Sequence, residues 1–320
     1  MMATMTLNTR AAALCQAMIT EADELRLAVH RIGRATVIDL GIEVAGGLEA
    51  GRRLAEICMA GLGHVDFAPG DPAIWPGPAV TVRTDAPVAA CMASQYAGWE
   101  IKVDKYFAMG SGPMRAAAGV EALFERIGHR ERPADVVGVL ETRKLPTPAV
   151  VEHIAGACGI VAERLTLLVA PTASQAGTVQ VVARSVETAL HKLGELGLDL
   201  SRITSAWGTA PLAPVAKNDL AAIGRTNDAI LYGAEVTLWV RGEEASLASI
   251  GPRVPSSASL DHGLPFAEIF KRSGHDFYKI DPHLFSPAVV TFQNLDSGSL
   301  HRFGRVEPAV LLQSFEAIAG

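Results

Sequence analysis

Charge is scarce in this chain of 320 residues. Asp, Glu, Lys and Arg make up 19% of it, 34 acidic against 28 basic, for a formal net charge of −6. A protein that follows nucleic-acid phosphates inverts that balance, so no nucleic-acid partner is expected. Cysteine is rarer still. Cys15, Cys58, Cys91 and Cys158 are scattered with no C-x-x-C pair, which argues against disulfides and zinc thiolates and reads as four small buried side chains. The nine histidines include no H-x-x-x-H or H-E-x-x-H, and His262, His275 and His283 are spaced as in loops, so no metal site is expected. Walker A, G-x-G-x-x-G and G-x-S-x-G patterns are missing too, which removes the commonest phosphate cradles and the nucleophile elbow. No period of 20–50 residues repeats. The longest run without charge lies between Arg164 and Arg184. It carries Pro171, Ser174 and two Gln, and so reads as strand, turn and helix start rather than a membrane span. AAALCQAMIT near the N-terminus is flanked by Arg10 and EADEL and reads as an amphipathic helix, not a secretion signal. A soluble, cytoplasmic protein is expected.

Apolar side chains are abundant at 49% of the chain, enough for a sizeable core. Strands are expected at ATVIDLGI (35–42), PAVTVRTD (78–85), WEIKV, DVVGVLET, RLTLLVAP, AILYGAEVTLWV and PAVVTFQNL. Helices are expected at Thr6–Val29, at AGGLEAGRRLAEICMAGLG, at VAACMASQYAG, from Pro113 through ALFERI, at PTPAVVEHIAGACG, as one long helix through TASQAGTVQVVARSVETALHKLGELG, and at PFAEIFKRSG. The alternation predicts an α/β protein. ERPAD, at 131–135, is the natural boundary between two lobes. Residues 1–132 then form a first α/β domain, to which 265–320 can return, and 133–264 form a second.

Four stretches are short of charge and rich in small residues, as pocket walls and buried packing both are: 106–116, 170–180, 208–216 and 222–233. GSGPMR has the form of a helix N-terminus. Its Ser111 and Gly112 amides, with Arg115 one turn on, suit an anion, while a plain Ser111 cap is the bland reading. In the loop AIGRTND, Arg225 is suited to fork onto a carboxylate or phosphate, and Asn227 and Asp228 to shape the turn. The sharpest pair is ARSVET. Arg184 and Glu187 stand three apart on one helix face, either as a solvated ion pair or as a carboxylate that activates water beside a guanidinium that positions it.

Taken together, GIEVAGGLEAG, ICMAGLG, VTVRTDAP, DKYFAMGSGPMRA, LLVAPTASQAGTVQ with ARSVETALHKL, GTAPLAPVA, AIGRTNDAILYG and FYKIDPHLFSPA resemble the methenyltetrahydromethanopterin cyclohydrolase family, in order from about residue 41 to 288. The resemblance implies reversible hydrolysis of an N5,N10-methenyl bridge on a methanopterin-type one-carbon carrier to an N5-formyl group. It implies a two-domain subunit of mixed sheets flanked by helices, a deep pocket between the domains, a homotrimer, and no metal or organic prosthetic group. It assigns water activation to Glu187 and Arg184. Ser111, Gly112, Arg115, Arg225, Asn227 and Lys279 (in FYKIDP) are then the candidates for holding the carrier. Two rival readings stand beside it: a non-catalytic pterin- or nucleotide-binding module, and a hydrolase of a phosphorylated metabolite that uses the GSGPMR helix end.

Overall fold

In the computed structural model the described residues are 6–274, 276 and 279–316. They form two compact units, each built on one six-stranded sheet. The first unit holds the residues up to 63 together with 89–180, and the second holds 64–88 together with those from 181 on.

The first unit opens with α1 (Leu7–Thr20), β1 (Ala28–Ile32), β2 (Ala35–Asp39) and α2 (Leu48–Cys58). The chain then contributes β3 (Gly63–Pro69) and β4 (Pro78–Thr84) to the second sheet. It comes back through a helical segment at Val88–Gln95, β5 (Trp99–Val103), β6 (Tyr106–Ser111), α3 (Met114–Ala118), α4 (Leu123–Ile127), β7 (Val136–Glu141), α5 (Pro148–Cys158), β8 (Leu165–Ala170) and α6 (Gln175–Val182). The order in this sheet is β1-β2-β8-β7-β6-β5, with β2, β8 and β7 parallel and the outer pairs antiparallel.

The two-residue alternation of strands decides which helix covers which face. Val136 and Leu140 of β7, with Leu165, Leu167 and Val169 of β8, pack with Val150, Val151 and Ile154 of α5. Val137, Val139 and Leu168 point the other way, onto Cys15 and Met18 of α1 and Leu54 and Ile57 of α2. Because both faces are covered, these strands are apolar throughout. α5 carries its own punctuation: the Thr147 hydroxyl accepts from Val150 N–H, Pro148 opens the helix, and Gly159 closes it at φ 69°. Gly51 of α2 lets α6 close on it, since a Cβ there would lie 2.8 Å from Ala176 Cα and from Val179 Cβ.

The second unit continues with α7 (Ser185–Glu195), β9 (Ile203–Pro211), α8 (Asp219–Gly233), β10 (Glu235–Val240), α9 (Glu244–Ile250), α10 (Phe266–Arg272), β11 (Val289–Asn294), β12 (Leu300–Gly304) and α11 (Pro308–Glu316). Its sheet runs β12-β11-β10-β9-β4-β3, antiparallel at β11/β12, β9/β10 and β4/β9 and parallel at β10/β11. Among the described residues no helix is long and apolar enough to cross a membrane.

The α/β class with mixed sheets and flanking helices matches the expectation, and several details differ. A boundary at 132/133 is not where the units part: Met109 and Gly110 of β6 pair with Glu141 and Leu140 of β7, so the chain on both sides of 132 belongs to one sheet. The long helix expected from Thr172 onward is two helices, broken at Ala183–Arg184, where Arg184 leaves helical geometry at φ −93°, ψ 9°. AIGRTNDAILYG is neither loop nor strand but most of α8. Its start is marked by Asn218, whose side chain accepts from Ala221 N–H. The helix begun at Pro113 stops at Ala118 because Gly119 turns left-handed at φ 57°, and YFAMGS before it is a strand. ITSAWGTAP is strand β9.

One buried acid in this fold sets a pH dependence. Asp228 of α8 is fully buried, and its Oδ1 accepts from Phe266 N–H at 2.8 Å, fastening the start of α10. Burial pushes its carboxyl up to about 7, offset in part by that N–H. An acid whose folded value exceeds its unfolded one (about 3.9) costs nothing below the unfolded value. It then removes stability as pH rises through the window up to the folded value. Stability of the protein is therefore expected to fall between about pH 4 and 7, by at most roughly 1.4 kcal/mol per pH unit from this group. Asp228→Asn keeps an acceptor for Phe266 and is expected to flatten that slope in urea titrations; an unchanged slope would show that Asp228 is not its source.

Candidate active site

α7 is built so that its first turn is closed in. Gly208 of β9 has no side chain, and a Cβ there would lie 2.5 Å from Ser185 Oγ and 3.0 Å from Val186 Cγ2. The first turn of α7 thereby lies directly on the strand. Glu187 stands in that turn at 6% exposure, and Arg184 precedes the helix at 6%. Arg184 Nη1 and Glu187 Oε2 are 3.8 Å apart. The Arg184 carbonyl accepts from both the backbone N–H (2.9 Å) and the hydroxyl (2.7 Å) of Thr188, which holds the break and the turn in one geometry. The positive end of α7 and the guanidinium both attract the carboxylate charge. A solvated surface pair is excluded: both side chains are about nine-tenths buried, and a pair so placed is retained against a desolvation penalty. Further along the helix, Lys192 is buried and donates to the His283 carbonyl at 2.6 Å, with its ammonium pulled down to about 8 by desolvation.

The remaining candidates are dispersed. Arg225, in α8, is buried and donates from Nη1 to the carbonyls of Pro214 (3.1 Å) and Val215 (3.3 Å). Nε and Nη2 have no partner among the described residues. Burial lowers its guanidinium from the usual range. Asn227 donates back to the Ile223 carbonyl at 2.9 Å, as a mid-helix Asn does. Lys279 is exposed and 3.9 Å from Asp276. It lines a cavity of about 270 Å³ with Asp261, His262, Leu264 and Arg272. The His262 ring meets Tyr232 at a tilt, 5.0 Å between ring centroids, and burial lowers its imidazole. His275 lies outside the described residues.

The anion clamp expected at GSGPMR is corrected. Gly112 N–H already donates to the Ser94 carbonyl at 2.9 Å, and Ser111 Oγ is buried 3.4 Å from Cys58 Sγ. Arg115 is entirely buried. It holds Glu121 in a fork (Nε–Oε2 2.8 Å, Nη2–Oε1 2.7 Å), donates through Nη1 to the carbonyls of Met92 and Ser94, and lies over the rings of Tyr96 and Phe124. This arginine is fully engaged by the protein. The segment it clamps is wound wide, with Tyr96 N–H reaching the Cys91 carbonyl five residues back, and Arg115 supplies donors to the Met92 and Ser94 carbonyls near its C-terminal end. With Gly112 and Arg115 so occupied, the reading of GSGPMR as a phosphate site loses two of its three named donors.

One grouping was invisible to histidine spacing. His30, Asp39 and Glu43 each offer a ligand atom, and all three atoms lie within 4.8 Å of one another.

A family model described as Cyclohydrolase (MCH) matches residues 6–315. A methenyltetrahydromethanopterin cyclohydrolase of Rhodopirellula baltica is 50% identical over 289 residues, which is 89% of this chain and 87% of that protein. One from Xanthobacter autotrophicus is 48% identical over 311 residues, 97% of this chain and 92% of its own. One from Methanospirillum hungatei is 44% identical over 295 residues, 92% and 93% respectively.

Proposed function

The chain belongs to the methenyltetrahydromethanopterin cyclohydrolase family, a family of hydrolases, and on that premise we propose that it interconverts N5,N10-methenyl-tetrahydromethanopterin (or its dephospho form) and the N5-formyl carrier through Glu187 and Arg184. The observation that supports these roles is the burial of both side chains at the first turn of α7, with the guanidinium 3.8 Å from the carboxylate.

The chemistry asks little of the protein. The bridge carbon of an amidinium ion is already electrophilic. A water oxygen bonds to that carbon while its proton passes to Glu187, giving a neutral adduct. Glu187 returns the proton to N10 as the C–N10 bond breaks, and the adduct hydroxyl gives up its proton as the formyl C=O forms. The balance is methenyl cation plus water to formyl carrier plus one proton. Arg184 holds the carboxylate in place and stays charged throughout. A single carboxylate acting twice supplies about 10²- to 10⁴-fold, and orientation of the carrier and water supplies more. Arg225, which donates only through Nη1 among the described residues, is the better-supported donor for the carrier, with Asn227 and Lys279 as further contacts. A homotrimer and the absence of any prosthetic group belong to the same reading. Incubation of the purified protein with methenyl carrier tests it: loss of the methenyl absorbance at an enzymatic rate is expected. Binding with no change in absorbance would favour the non-catalytic binding module.

A further inference from the structure

We infer that the carboxyl ends of β7 and β8 seat the 2-amino-4-oxopyrimidine ring of the carrier, with Glu141 accepting from its paired N–H donors. The inference rests on the cyclohydrolase reading. β7 and β8 are parallel and end flush, with Glu141 opposite Ala170. From there the chain leaves them toward opposite faces. α5, which follows β7, covers the face of Val136 and Leu140, while α6, which follows β8, packs its Ala176 on the face of Val137 and Val139. Such a switch point opens a crevice at the strand ends, where open α/β sheets bind their ligands. Alternation puts Glu141 on the Val139 face, and the register with β6 sets it opposite Met109, with Phe107 further along the same face. Phe107 is 55% exposed and Met109 half-buried, an apolar surface on which a flat ring can lie. Beside it, the buried Thr172 hydroxyl donates to Glu141 Oε1. No cation pairs with this carboxylate among the described residues, and a plain strand-end hydrogen bond accounts for Oε1 alone. Thr172 fixes the plane of the carboxylate and leaves it Oε2 and one lone pair of Oε1. A carboxylate so held takes two parallel N–H groups, N3–H and the 2-amino group, as it takes a guanidinium. Anionic groups are repelled by it, which excludes a phosphate here.

Its test is equilibrium binding of methenyl carrier to the full chain, with 2-amino-4-oxopteridine and 2,4-dioxopteridine as competitors. Both are flat, and only the first carries the donor pair. The wild type is expected to bind the amino compound roughly tenfold or more tighter than the dioxo compound. In Glu141→Gln that preference is expected to vanish. Kd and KM for the carrier are expected to rise about ten- to a hundredfold, with kcat changed by less than roughly threefold. A carboxylate with a merely structural role would not move the preference. Phe107→Ala removes an exposed ring and is expected to weaken both competitors alike, by about three- to tenfold; it carries the test alone should Glu141→Gln fail to fold. Folded variants with wild-type affinity, or a wild type indifferent between the competitors, would overturn the seat and leave the cyclohydrolase reading standing. A wild type that shows the preference yet never turns the carrier over would contradict that reading and leave the ring seat intact.

Discussion

Replacement of Glu187 by Gln is expected to lower kcat by about 10²- to 10⁴-fold while the affinity for methenyl carrier stays within roughly a factor of three. The amide has nearly the shape of the acid and keeps a contact with Arg184, but it takes no proton from water and delivers none to N10. Loss confined to kcat marks a group needed only in the transition state, whereas a raised KM with kcat intact marks a group that holds the carrier. Arg184→Lys keeps the charge without the planar fork and is expected to fall between the wild type and Glu187→Gln. Stopped-flow absorbance at the methenyl band gives turnover, and equilibrium dialysis of the same variant gives affinity. A Glu187→Gln enzyme that turns over within a few-fold of wild type would remove the carboxylate from the mechanism.

Arg115→Met is expected to cost about 3–5 kcal/mol of stability. The methionine fills much of the space but leaves Glu121, only 13% exposed at its side chain, without its counter-charge, and the Met92 and Ser94 carbonyls without their donors. The contacts with Tyr96 and Phe124 weaken as well. Lysine does not rescue, because one ammonium cannot fork onto Glu121 and reach both carbonyls. The double variant Arg115→Met/Glu121→Gln is expected to recover part of the loss, since it leaves no lone buried charge. Urea unfolding reads the effect. The folded fraction of Arg115→Met is expected to keep a wild-type KM, and a raised KM with wild-type stability would restore Arg115 to the substrate.

Arg115 also shows where sequence reading stops. A cation after two glycines looks the same whether it faces an anion or the core. The deciding facts are a glutamate brought round by the left-handed Gly119 and carbonyls from a helical segment twenty residues earlier. By contrast α5 was legible end to end, because Thr147, Pro148 and Gly159 mark its limits and an apolar stripe runs between them. β7 and β8 were legible from their unbroken apolar runs. The α6/α7 break was not: no Pro or Gly stands at 183–184, and the close approach of Ser185 and Val186 to Gly208 fixes the new helix start. Arg184 and Glu187 stayed together despite it, since a three-residue spacing across a helix start still lets the side chains meet. Residues 222–233 were misread because Ile, Leu and Tyr there look like strand, while the Asn218 cap that governs them lies several residues earlier. His30 and Asp39 escaped notice because strand register, not chain spacing, joins them.

The decisive measurement is a crystal structure of the Glu187→Gln protein with methenyl carrier bound. The bridge carbon is expected within reach of the residue 187 carboxamide through one ordered water, with hydrogen-bond lengths of about 2.6–3.2 Å on each side of that water. A carrier bound with its bridge carbon remote from residue 187, and another proton acceptor against it, would contradict the assignment.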